Sequence, residues 1–226
     1  MACNDHHYHL SSINYQLNTM YTHTKNILTA GKPAAQATTA MIMLHGRGGS
    51  AEDIISLSAY LNTKEMALFA PQATQNSWYP YGFMSPVSAN QPALDSALAT
   101  IDELVQSIVA DGIAREQLYF VGFSQGACLT LEYTTRHASR YGGIIAFTGG
   151  LIGEKPGTDN YKGDFAQTRV LITDGDNDPH VPVSRVMESA EIIKKLQGDI
   201  TTKIYKGRPH TVSQQEIELA NSLILN

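Results

Sequence analysis

Five residues, Gly122, Phe123, Ser124, Gln125 and Gly126, place a serine between two glycines, directly after the apolar run 118–121 and directly before another apolar stretch. A serine at a sharp strand-to-helix turn would have a strained backbone. Its neighbours two positions away would then need to be glycine, since a side chain there would strike backbone. Such a turn holds the hydroxyl clear of the sheet as a nucleophile. An ordinary serine N-cap is the simpler alternative, so the reading depends on a base, an orienting acid and oxyanion donors elsewhere in the chain.

Three other short stretches carry suitable residue types. His210 lies in Gly207-Arg208-Pro209-His210-Thr211, and the stretch 174–182 holds three acid candidates, Asp174, Asp176 and Asp178. In the order serine, acid, histidine, Ser124 would attack a carbonyl carbon and His210 would take its proton. One aspartate would hold the imidazole in the right tautomer and stabilise its cation. Pro179 stiffens the backbone after Asp178 and favours it, while each of the three could equally be a turn residue. The remaining requirement is backbone N–H donors for a developing oxyanion. The residue after the nucleophile, Gln125, supplies one. Arg47, in His45-Gly46-Arg47-Gly48-Gly49-Ser50, is the best candidate for the other, through its amide rather than its side chain. That glycine loop lacks the Lys-Ser/Thr ending of a phosphate-cradling loop, so nucleotide binding is not expected. His45 is read as an organiser of the loop by hydrogen bonds.

The elements around these stretches alternate. Apolar runs of strand length at 39–44, 66–71, 118–124, 143–150, 169–175 and 201–207 are separated by stretches of helical periodicity at 51–61, 92–110, 125–137 and 183–196, and a final helix is expected over 212–223. The alternation predicts one mostly parallel sheet covered by helices on both faces, with catalytic groups in the loops leaving the strands' carboxyl ends. Residues 1–30 read as an N-terminal extension that includes a possible antiparallel edge strand at 13–17, and residues 31–226 as a single domain, which suits a chain of 226 residues.

The composition, 42% hydrophobic and 16% charged, is that of a globular protein. A net charge of −5 without a Lys/Arg cluster argues against a nucleic-acid partner. No stretch approaches a membrane span, so no stable membrane insertion is expected. The first twenty residues lack the apolar run of a secretory signal, which makes a cytoplasmic location the expectation. Two cysteines, Cys3 and Cys128, form no disulfide framework. His6, His7 and His9 are read as ordinary polar residues of the N-terminus. With no other ligand spacing, neither a metal nor an organic cofactor is expected. The oligomeric state is left open, a homodimer included.

With these elements in order, the chain resembles the phospholipase/carboxylesterase family of α/β-hydrolases, which includes acyl-protein thioesterases. The likeness runs from about residue 39 to the C-terminus on 45–49, 122–126, 178–182 and 207–211, with Trp78 where the family also places a tryptophan. The resemblance adds weight to Asp178 as the acid and implies an α/β-hydrolase fold. It also implies a serine hydrolase acting through an acyl-enzyme on small carboxylic esters of short to medium acyl chain, or on lysophospholipids or acyl thioesters. There are departures. The family's oxyanion loop commonly reads His-Gly-Leu-Gly-Asp, its elbow is usually followed by a second glycine where Ala127 stands, and its acid loop commonly opens with His-Gly where Asp174-Gly175 stands. The short stretch between Gly150 and Arg169 implies a small or absent cap. Trp78, Tyr79, Leu151 and His180 are expected to line the substrate site. Dienelactone-hydrolase-like or peptidase activity on the same triad, or a catalytically silent binding protein, are the alternatives.

Overall fold

The computed structural model describes residues 22–226. Its centre is a seven-stranded sheet in the order β1-β3-β2-β4-β5-β6-β7. The strands are β1 (Ile27–Gly31), β2 (Thr39–Leu44), β3 (Met66–Pro71), β4 (Leu118–Phe123), β5 (Gly143–Phe147), β6 (Arg169–Gly175) and β7 (Asp199–Tyr205). Only β1 runs antiparallel, pairing with β3; every other neighbouring pair is parallel.

Because side chains alternate across a strand, each apolar strand feeds two cores. In β2, Ala40, Ile42 and Leu44 face one core while Met41 and Met43 face the other, and in β5 Ile144 and Ala146 oppose Ile145 and Phe147 in the same way. The larger core takes the apolar stripes of α2 (Ala93–Ala110), α3 (Gln125–Arg136) and α4 (Val183–Lys195). The smaller is closed by α1 (Ala51–Ser56) and α5 (Gln214–Leu223) through Ala51, Ile54, Ile217 and Ala220.

Element boundaries differ from the sequence expectation where local chemistry intervenes. The helix expected over 51–61 ends as α-helix at Ser56 and continues as a 3-10 turn, Leu57–Ala59; Ser56 Oγ donates to the Asp53 carbonyl at 2.6 Å, a local bond of the kind that competes with helical geometry. The strand expected over 143–150 stops at Phe147, because Thr148 takes φ 62°. The last strand covers 199–205 rather than 201–207, ending before Gly207 at φ 71°. The last helix starts at Gln214, since Ser213 and Glu216 form a capping box that leaves Val212 outside. The antiparallel edge strand is Ile27–Gly31; the stretch 13–17 lies outside the described residues.

The connection from β5 to β6 holds a single 3-10 turn, Thr158–Asn160, and no α-helix, so this connection raises no cap domain over the sheet. It is tied down by two buried charges. Glu132 accepts from the Ile152 amide and the Tyr161 hydroxyl, while Arg185 donates to the carbonyls of Leu151, Gly153 and Glu154.

Candidate active site

The turn between β4 and α3 places Ser124 at φ 55°, ψ −119°, outside the conformations most residues adopt. The flanking glycines are required by close approach. A Cβ on Gly122 would lie 2.3 Å from the Gly126 carbonyl oxygen, and a Cβ on Gly126 would lie 2.1 Å from that of Leu44. The serine amide donates to Phe147 O at 3.0 Å, which ties the turn to β5.

His210, in the loop after β7, lies with Nε2 2.7 Å from Ser124 Oγ, and its Nδ1 is 2.7 Å from Asp178 Oδ2. Since Asp178 is an acceptor, the arrangement assigns the proton to Nδ1 and leaves Nε2 to accept from the serine hydroxyl. The other Asp178 oxygen accepts the amides of His180 at 2.7 Å and Val181 at 3.1 Å. Burial pushes this carboxyl up, but the His180 amide, the imidazole and the Val181 amide together outweigh it and hold the pKa below the usual carboxylate range.

The three aspartates of the β6 loop do different things. Asp174 is fully buried at the end of β6 and accepts the Gly175 amide at 2.8 Å. Burial, aided by the Asp178 charge and opposed by the Gly175 amide and Arg208, pushes its carboxyl up to about 7. Asp176 is exposed and accepts the Gly207 amide, joining the acid loop to the histidine loop. Only Asp178 meets His210.

Arg208 was not singled out by sequence reasoning, and it anchors the histidine loop from within. Although charged, it is only 8% exposed. Its guanidinium donates to the Thr211 carbonyl, lies 3.2 Å from Glu216 Oε1 and 3.9 Å from Asp174 Oδ1, and reaches Thr148 Oγ1 at 3.3 Å. Backbone contact is equally close, since a Cβ on Gly175 would meet the Arg208 carbonyl oxygen at 1.9 Å.

On the opposite side, the loop after β2 is built on His45. Its Nε2 accepts the Ala73 amide, so its Nδ1 carries the proton and donates to Gly46 O at 2.7 Å; burial lowers its pKa and keeps the ring neutral. The Gln125 side chain accepts the Trp78 amide and donates to Tyr79 O, fastening the aromatic loop to the start of α3. As the first residue of α3, Gln125 has an amide with no acceptor inside the helix.

A cavity of about 340 Å³ opens on Ser124 and His210, lined also by Arg47, Tyr79, Phe83, Gln125, Cys128 and His180. Tyr79 and His180 therefore lie where expected. Trp78 and Leu151 do not reach the wall. The indole of Trp78 is fully buried and donates to His45 O at 2.9 Å, packed between the rings of His23 and His45, and Leu151 is fully buried in the larger core. Phe83 and Cys128 take their places. The Cys128 thiol is pushed up to about 12 by burial and is not an activated nucleophile at neutral pH.

Sheet, strained serine turn and the Ser124–His210–Asp178 arrangement define an α/β-hydrolase. The model of one family within that fold, described as phospholipase/carboxylesterase, matches residues 25–225. A solved phospholipase/carboxylesterase from Dyadobacter fermentans is 62% identical, superimposes with a TM-score of 0.91 and is covered completely by 92% of this chain. Acyl-protein thioesterase 1 of Kluyveromyces lactis is 26% identical over 85% of this chain and 93% of its own length. That of Gibberella zeae is 34% identical over 51% of this chain and 50% of its own. The chain belongs to the phospholipase/carboxylesterase family and, with it, to the hydrolases of the carboxylesterase and acyl-protein-thioesterase-like kind.

Proposed function

We propose that this protein cleaves carboxylic esters of short to medium acyl chain through an acyl-enzyme on Ser124. The observation that carries the reading is the unbroken hydrogen-bonded chain from Ser124 Oγ through His210 to Asp178, 2.7 Å at each step, on a backbone turn that holds the serine in a strained conformation.

In the reaction, Ser124 Oγ attacks the ester carbonyl carbon as His210 Nε2 takes the hydroxyl proton. The imidazolium forms against the Asp178 carboxylate, which stays ionised. The carbonyl oxygen becomes an oxyanion, which accepts hydrogen bonds from the backbone amides of Gln125 and Arg47. Collapse breaks the bond to the leaving alcohol, which takes the proton from His210. A water then enters, loses its proton to His210, attacks the acyl carbon and releases the acid, returning the proton to Ser124. Each oxyanion donor accounts for about 10²–10³ in turnover in enzymes of this mechanism.

The absence of a cap over the described site leaves the cavity open at the rim, which suits monomeric esters; lysophospholipids and acyl thioesters share the needed carbonyl chemistry. Tyr79, Phe83 and His180 form its walls.

The test is a fluorescent fluorophosphonate, applied to the wild type and to Ser124→Ala, with the adduct located by peptide mass spectrometry. Rapid labelling confined to Ser124 is expected, followed by turnover of an ester panel graded in acyl length. A folded wild type that neither labels nor turns over any member of the panel overturns the reading.

A further inference from the structure

Arg47 stands on the wall of the cavity that opens on Ser124. Its guanidinium is held at three points, by Ser77 Oγ and Pro80 O at 2.9 Å and Tyr81 O at 2.6 Å, and lies 5.9 Å from the centre of the Tyr79 ring. All three acceptors are uncharged. They orient the cation without neutralising it, and of its five N–H donors two are left over, enough for a paired contact with a carboxylate.

Nothing on the cavity wall offsets this charge. Among the described residues no Asp or Glu lines it, and the other titratable groups there are His180, His210, Tyr79 and Cys128. Acids behind the wall are engaged elsewhere: Asp178 is enclosed behind His210, Asp53 caps the start of α1 through the Ser50 amide, and Glu132, whose charge reaches Tyr79 and Cys128, is paired with Arg136. The amino end of the twelve-residue α3, which begins at Gln125, adds positive potential. A protein of net charge −5 thus carries a fixed cation beside its nucleophile.

A loop staple alone would not need a charged group. Immobilising an arginine costs side-chain freedom. A neutral donor would meet the same carbonyls without placing an unbalanced charge where an apolar acyl chain would pack. Resting on the ester-hydrolase reading above, we infer that the substrate carries a carboxylate, which docks on the Arg47 guanidinium while its ester carbonyl faces Ser124. The substrate class is then a small half-ester of a dicarboxylic acid, or an ester whose leaving group bears a carboxylate.

Two matched pairs of probes test this, one for each side of the ester: 4-nitrophenyl butanoate against 4-nitrophenyl hemisuccinate, and phenyl acetate against 4-acetoxybenzoate. We expect kcat/KM to favour the charged member in at least one pair. In Arg47→Met that ratio should fall about tenfold, carried by KM, while Arg47→Lys, which keeps the charge but loses the planar fork, should lie between wild type and Arg47→Met. Added salt should raise KM for the charged member in the wild type and not in Arg47→Met. The inference is overturned if the wild type prefers the neutral member in both pairs, or if Arg47→Met lowers both members of a favoured pair alike, as a purely loop-holding side chain would. Loss of all four substrates in the wild type would instead count against the hydrolase reading itself.

Discussion

Replacing Arg208 by methionine should destabilise the protein and disarm it together. The side chain is 8% exposed and lies against a Glu216 carboxylate that is itself fully buried. Removing one partner of a buried pair costs about 3–5 kcal/mol, because the other charge is left without compensation. Here the lower end applies, since Glu216 keeps the Thr173 hydroxyl at 2.5 Å and the Ser213 amide and hydroxyl at 2.8 Å each. A loss of about 3 kcal/mol in a domain of this size lowers Tm by roughly 6–12 °C. Urea unfolding reads it directly, with the single, wholly buried Trp78 as the fluorescent reporter. Because Arg208 also donates to Thr211 O, the loop that carries His210 loosens, and kcat/KM should fall on the order of 10²-fold at temperatures where the variant is folded. Adding Glu216→Gln to the Arg208→Met background removes the orphaned charge and should restore at least about 1 kcal/mol. Stability within about 0.5 kcal/mol of wild type, or no recovery in the double variant, would refute the assignment of Arg208 as the buried partner of Glu216.

Asp178→Asn should lower kcat by roughly 10³–10⁴ by disturbing the imidazole tautomer, while Asp174→Asn costs far less; the reverse ranking in steady-state kinetics would move the acid role to Asp174. For stability against pH, the Asp174 carboxyl sits at about 7 in the fold and near the ordinary aspartate value when unfolded. Between about pH 4 and 7 the native state therefore holds a proton that the unfolded chain has lost, and this contribution to stability disappears as pH rises through 7. Urea midpoints at pH 5 and 8 should differ less in Asp174→Asn than in wild type, and equal differences would count against the assignment. The Asp178 carboxyl, held low, acts oppositely, its contribution being lost only as pH falls through its folded pKa. Gly126→Ala should cost at least about 1–3 kcal/mol and most activity, because the added methyl meets the Leu44 backbone rather than a movable side chain; a well-folded, active variant would show that the turn can relax.

Features that depend on local chain geometry were legible in the sequence. The glycine-serine-glycine spacing is a steric requirement within five residues, and the contacts a Cβ would make at Gly122 and Gly126 are what the pattern encodes. The strands β2, β3 and β6 match the expected runs because continuous apolar stretches bounded by turns are what a sheet buried on both faces demands. β1 escaped notice for the converse reason. Its half-exposed residues carry no alternating apolar signal, and its place rests on backbone pairing with β3.

What spacing could not separate are groups distinguished by burial and distant partners. Asp174, Asp176 and Asp178 are equivalent in composition, yet one ends a buried strand, one faces solvent and one meets a histidine 32 residues further along the chain. Trp78 and Tyr79 are neighbours in an aromatic loop, but the indole turns inward to the His45 carbonyl and only the tyrosine reaches the cavity. Arg208 carries no sequence mark of burial, because its partners lie on β6, beyond β5 and on α5. These long-range polar pairs hold the His210 loop at hydrogen-bonding distance from the serine turn. Short motifs thus specify which atoms could react, while buried charges such as Arg208, whose partners lie on distant elements, determine whether the loops that carry those atoms stay in register, so substituting such a partner should weaken the site without touching a reacting atom.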